Sequence, residues 1–219
     1  MPNPSLATAE NRTEGQVVAY LAFLSGLLAL SIDTALPAFD DIKEAFGLAD
    51  DSTTVSLIIT TYLVGMALGQ LVYGPFADRF GRAPVLRFGL AVYVLGALGA
   101  TFAPSLAVLL ISRFVWGLGG AAPAVLRTAF ARDLYERETM ARVMSVVMAV
   151  FLLVPVVAPS IGQALIAVAG WRRTMAGPGL AVLVALAWSF RFGETLAPEK
   201  QMPLAVRPTL SAFGRVFRS

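Results

Sequence analysis

Gly74-Pro75-Phe76-Ala77-Asp78-Arg79-Phe80-Gly81-Arg82-Ala83-Pro84 separates two long apolar segments with one acid and two arginines. Charges of this density do not sit in hydrocarbon, so the stretch reads as a tight loop at a membrane face. The composition around it agrees. Of the residues, 57% are hydrophobic and only 14% charged, where a soluble domain carries about 25% charged residues. The chain therefore reads as an all-α membrane protein. Its net charge is only +3, and the arginines lie in short connections, where they report orientation rather than a nucleic-acid surface. With neither Cys nor His, the chain lacks disulfides, thiolate or imidazole metal sites and His-based triads. It also lacks the Gly-x-Ser-x-Gly, His-Glu-x-x-His and nucleotide-loop patterns, so neither an enzyme nor an ATP-driven motor is expected.

Working outward from the turn, six segments approach the roughly 20 apolar residues that a bilayer core requires. They cover residues 16–38, 54–76, 84–103, 106–130, 140–168 and 174–192. The fifth carries Pro155 and Pro159, which predict a tilt or kink there. Residues 1–15 read as a cytoplasmic tail ahead of a retained first helix, residues 16–192 as the bundle and residues 193–219 as a second cytoplasmic tail. Six spans place both termini on one side. Thirteen basic residues fall on that side, among them Arg12, Arg79, Arg82, Arg87, Arg127, Arg132, Arg137 and Arg142, against Lys43, Arg172 and Arg173 on the other. The positive-inside rule makes the first side cytoplasmic. Gly65 and Gly69, with Gly117, Gly119 and Gly120, thin the second and fourth spans for close helix contact.

Two ionisable residues interrupt spans away from the connections: Asp33 and Arg113. Each costs about 2.5–3.5 kcal/mol at a helix centre, so such groups face a cavity or a partner. With the first span ending near Ala38, Asp33 lies roughly 6–8 Å from its outer end, and Arg113 roughly 10 Å down the fourth span, at 1.5 Å per residue. The two can meet in the outer half of the bundle. One reading is a buried ion pair that fixes helix register. The other is a titratable carboxylate in a watered cavity, where a proton and a cationic or polar substrate compete and Arg113 tunes the exchange.

The residues from Gly74 to Arg82 resemble the signature of the major facilitator superfamily, a glycine followed by x-x-x-Asp-Arg-x-Gly-Arg between the second and third helices. The resemblance implies that Gly74, Asp78, Arg79, Gly81 and Arg82 form a cytoplasmic gating turn, with Asp133 as a charge partner. Residues 31–39, Ser-Ile-Asp-Thr-Ala-Leu-Pro-Ala-Phe, and residues 111–121 around Arg113 resemble the drug:proton antiporters of the Bcr/CflA type, whose fourth-helix arginine is associated with proton coupling. Trp116 stands where that branch commonly has glutamine. Ala158, Pro159 and Gly162 are similar to part of the antiporter motif of the fifth helix, from which Val154 and Gln163 depart.

The family usually has twelve helices in two parallel repeats with substrate between them, whereas this sequence holds six. The resemblance therefore implies the N-terminal half of a secondary transporter in the bacterial inner membrane. It implies efflux of drugs or small amphipathic compounds, driven by a proton gradient without a cofactor. It also implies a need for a second six-helix half or a homodimer. A uniporter or symporter of the same superfamily and a non-transporting scaffold or remnant remain as alternatives.

Overall fold

The computed structural model describes residues 13–197, Glu199 and Gln201. The expected tails over residues 1–15 and 193–219 fall largely outside these, as do Arg12, Lys200, Arg207, Arg215 and Arg218 of the topology reading. Every regular element among the described residues is helical.

Helix α1, Glu14–Asp33, begins at a reciprocal cap in which the Thr13 hydroxyl accepts from the Gln16 amide and the Gln16 side chain accepts from the Thr13 amide. That arrangement satisfies amides the first turn would leave without partners. The helix ends at Asp33 and not, as the sequence suggested, near Ala38. Pro37 has no amide to bond back to the Asp33 carbonyl, and the chain passes through a 3-10 turn, Leu36–Ala38, into a short helix α2, Phe39–Ala45. A second 3-10 turn, Thr53–Ser56, leads into α3, Leu57–Phe80.

Only Gly81 separates α3 from α4, Arg82–Thr101. The expected loop over residues 74–84 is therefore a correction: Gly74 to Phe80 complete α3, and Arg82 to Pro84 open α4. Gly81 sits at φ 97°, ψ 155°, a region essentially reserved for glycine. Pro84 is tolerated because the first turn of a helix has amides without intrahelical acceptors. Gly74 lies inside α3, with open space where a Cβ would stand.

Helix α5, Leu106–Leu134, starts at Ser105, whose hydroxyl accepts from the Val108 amide at 3.4 Å. It packs against both α3 and α4, while α1 packs against α6. Between helices in lipid, close packing and hydrogen bonds carry the association, and the small residues serve that purpose here. A Cβ on Gly65 would strike the Phe114 carbonyl, and one on Gly117 the Tyr62 carbonyl, so the α3 and α5 backbones touch. Gly96 and Gly119 bring α4 and α5 together against Trp116 and Tyr93 in the same way.

The last run, α6, Arg137–Phe192, has 56 residues. At 1.5 Å per residue it measures about 84 Å, nearly three times a hydrocarbon core of about 30 Å. Gly170, at φ 76°, ψ 162°, breaks it into two arms, which restores the six spans the sequence predicts. No other residue of α6 leaves helical dihedrals, so Pro155 and Pro159 do not break the helix. Arg127, counted with the cytoplasmic charges near the inner end of the 106–130 span, lies well inside α5, which runs on to Leu134.

Candidate functional site

Two polar constellations occupy opposite ends of the bundle. At the Gly81 end, Arg82 is 4% exposed and joins three elements. Its Nη1 donates to Asp78 on α3 at 2.5 Å, and its Nε to Asp133 on α5 at 3.1 Å. The Thr195 hydroxyl, just beyond α6, also donates to Asp133, at 3.2 Å. Charge-assisted contacts of this kind are about twice as strong as neutral ones.

Glu194 completes the cluster and was missed by the sequence reading. Its carboxylate accepts from the Arg82 amide at 3.0 Å and the Ala83 amide at 3.1 Å, the first two orphan donors of α4. It also accepts from the Thr195 and Leu196 amides, each at 2.9 Å. A carboxylate suits this place because the N-terminus of a helix carries partial positive charge. A Cβ on Gly81 would enter the Glu194 carboxylate, so the glycine also makes room for the cap. No local signal could have shown this: Glu194 and Arg82 are 112 positions apart. Arg79, predicted to belong to the same turn, points away. It is exposed, lies 5.4 Å over the Phe80 ring and forms no ion pair among the described residues.

Nearer the Asp33 end, Arg113 is fully buried. Its Nη1 donates to the Ser31 carbonyl of α1 at 3.0 Å. The guanidinium lies 4.8 Å from the Trp116 ring and 5.5 Å from the Tyr62 ring, close enough for cation–π attraction. Tyr93 of α4 bonds the Ser31 hydroxyl and reaches the Leu27 carbonyl at 3.3 Å, so α1, α3, α4 and α5 converge on this one cation. Among the described residues, Nε and Nη2 of Arg113 have no hydrogen-bond partner, nor does the indole nitrogen of Trp116.

Asp33 is half-buried, and its buried Oδ2 has no hydrogen-bond partner among the described residues. The expected meeting of Asp33 with Arg113 is not present: no ion pair joins them. Because Asp33 ends α1, it stands half a turn beyond Ser31, whose carbonyl takes the guanidinium instead. Ala158 and Gly162 of the predicted fifth-helix motif are buried, and Pro159 half-buried. A Cβ on Gly162 would lie 3.3 Å from Pro37 and 3.7 Å from the Thr34 backbone, so this helix seats directly on the turn after Asp33. Among the described residues no group of three or more Asp or Glu is placed to hold a metal ion.

Among the described residues five helices, the last broken at Gly170 into two arms, are long and apolar enough to cross a membrane, with a charge cluster between the second and third spans and a buried arginine in the fourth. Residues 21–219 match the profile of the Major Facilitator Superfamily, and the chain belongs to that family. It is an integral membrane protein. It is 37% identical to the bicyclomycin resistance protein homolog of Haemophilus influenzae, over 84% of this chain and 46% of that protein. It is 35% identical to a chloramphenicol resistance protein of Pseudomonas aeruginosa, over 76% and 39%, and 32% identical to multidrug resistance protein D of Escherichia coli, over 63% and 34%. The chain thus spans about half the length of the curated relatives it matches. The human organic anion transporter TETRAN superposes with a TM-score of 0.71 at 24% identity, over 92% of this chain and 53% of that one. The E. coli xylose transporter XylE, partially occluded and inward open, superposes with a TM-score of 0.70 at 16% identity, over 93% and 55%. At these identities the structures establish the fold alone.

Proposed function

We propose that this chain forms one six-helix half of a proton-driven efflux transporter in a bacterial inner membrane, with both termini in the cytoplasm. Its cargo is a drug or another small amphipathic or polar compound. The observation that carries this reading is the unpartnered, half-buried carboxylate of Asp33 at the end of α1, one half-turn from the backbone carbonyl that holds Arg113. An acid left without a fixed counter-charge inside a bundle is free to exchange a proton for a solute. The names of the relatives, which concern resistance to bicyclomycin, chloramphenicol and several drugs, support an outward direction.

Asp33 accepts a proton from the outer side, and Arg113 holds the neighbouring backbone so that proton release follows a shift of α1 against α5. The Asp78–Arg82–Asp133–Glu194 cluster stabilises one of the two arrangements at the far end. Such clusters are made in one state and broken in the other. The second wall of the cavity comes from another six-helix half, in the same polypeptide, in a separate chain or as a second copy. The apolar residues that α3 and the first arm of α6 leave exposed, among them Leu68, Leu71, Leu152 and Val156, suit that contact. The energy source is the proton gradient, and no cofactor takes part.

Asp33→Asn in the full-length protein tests this in everted membrane vesicles. Proton-coupled efflux is abolished while membrane insertion stays normal, and substrate added to the wild type releases protons. Unchanged efflux in the variant removes Asp33 from the mechanism, and the absence of proton release replaces antiport by uniport or symport. Cross-linking in native membranes detects the second half, and a six-helix species that transports alone defeats the pairing.

A further inference from the structure

Arg127 is the second arginine inside α5, and none of the roles above uses it. It follows Arg113 by fourteen positions, close to four whole turns at 3.6 residues per turn, so the two share a face roughly 21 Å apart along the axis. Both reach α1. Arg113 bonds the Ser31 carbonyl, and the Nη1 of Arg127 donates to the Ser25 hydroxyl at 2.8 Å. The Arg127 guanidinium also lies 5.4 Å from the ring of Phe151 on α6.

The two sites differ in access and in what remains unused. Arg113 is sealed under Trp116 and Tyr62, whereas Arg127 is only partly buried. Seven residues from the end of α5, it lies roughly 10 Å inside the bundle from the Gly81 side. Its only partners among the described residues are a hydroxyl and the face of a ring, and neither carries a countercharge. No carboxylate among the described residues lies within ion-pair distance. Nε is buried without a hydrogen bond. Since Ser25 takes Nη1, the edge formed by Nε and Nη2 stays free, and that edge is the one that binds a carboxylate through two parallel hydrogen bonds. Ionisable groups inside a membrane bundle face a partner or a watered cavity, which leaves that edge for an anion or water.

We propose that Arg127, Ser25 and Phe151 form an anion-binding subsite at the Gly81 end of the bundle, which takes the carboxylate of an aromatic small molecule. The guanidinium edge fixes the carboxylate, the Ser25 hydroxyl orients the guanidinium, and the Phe151 ring lies beside the apolar body of the ligand. The inference rests on the transport reading only for the source of the ligand. The binding itself follows from the geometry.

Fluorescence polarisation with the purified full-length protein provides the test, using fluorescein as the carboxylate probe and the cationic ester rhodamine 6G as its counterpart. Fluorescein binds saturably to the wild type. Arg127→Gln weakens that binding about tenfold or more, the loss of one charge-assisted pair, and Arg127→Lys recovers part of it. Rhodamine 6G affinity stays unchanged in both variants. Ser25→Asp supplies an internal carboxylate and likewise abolishes fluorescein binding without lowering the melting temperature, which keeps the test valid if Arg127→Gln folds poorly. Absence of saturable fluorescein binding to the wild type overturns the proposal, as does equal binding to Arg127→Gln. An equal loss of both dyes in an Arg127→Gln protein of unchanged melting temperature also overturns it, because Arg127 then supports the bundle as a whole and not the carboxylate. A protein that binds fluorescein through Arg127 yet moves no solute in proteoliposomes keeps the subsite and removes the transport reading.

Discussion

The cluster around Arg82 and the pocket around Arg113 are both built on a buried arginine, and they solve the problem of its charge in opposite ways. Arg82 faces two carboxylates, and the Glu194 carboxylate satisfies the backbone amides beside it. Arg113 has one backbone carbonyl and two aromatic faces, with two of its nitrogens unpartnered. A buried charge with its partners in place is costly to break, because losing one partner leaves the other charge buried and uncompensated. A buried charge without them weakens a fold and persists for another purpose. In the proposed function, that difference gives state-locking to the Gly81 end and proton exchange to the Arg113 end.

Four measurements on the full-length protein, read as unfolding stability in detergent, break or sharpen this contrast. Gly81→Ala has the largest effect. It forces a side chain into a backbone region that costs about 1–3 kcal/mol and displaces the Glu194 cap, for a total loss of about 3 kcal/mol. A near-neutral result means that the α3–α4 junction is looser than described. Arg82→Met follows at about 2 kcal/mol, because Asp133 and Asp78 lose their shared cation, and Arg82→Lys recovers part of the loss. Glu194→Gln costs about 1 kcal/mol: one oxygen that accepted amide hydrogens becomes a donor facing them, and the favourable charge at the helix start disappears. The smallest change belongs to Arg113→Met. Replacing an unsatisfied buried cation by an apolar chain of similar length leaves stability unchanged or raises it by about 1 kcal/mol. Transport assays on the same protein show its activity gone. If Arg113→Met unfolds the protein, the two arginines are alike and the contrast fails.

Much of the fold was legible along the chain. Hydrophobic runs of bilayer length, the glycines of α3 and α5 and the charges from Asp78 to Arg82 are local signals, and each marked a true element. Errors arose where a boundary depended on one missing hydrogen bond. Pro37 ended α1 at Asp33, and within that helix the Ser31 carbonyl, not the Asp33 carboxylate, meets Arg113. The turn at Gly81 was read as a loop because its charges looked incompatible with a membrane helix. The last turn of α3 holds them instead, with Asp78 bonded across to Arg82. Arg127 was read as near the inner end of its span since charge alone does not mark where a helix stops.

The residues from Gly74 to Arg82 carried the resemblance to a superfamily, while composition and run length determined by themselves that this is a six-span membrane protein. Those properties follow from the transfer of side chains into hydrocarbon and from short-range backbone rules, which act residue by residue. Tertiary structure alone decided which charges meet. Glu194 capped a helix that begins 112 positions earlier, Arg113 turned to a carbonyl rather than to Asp33, and Arg127 kept one edge free. Pairing of that kind depends on a few ångströms of helix register and on side-chain direction, and both are set only when the helices pack against one another.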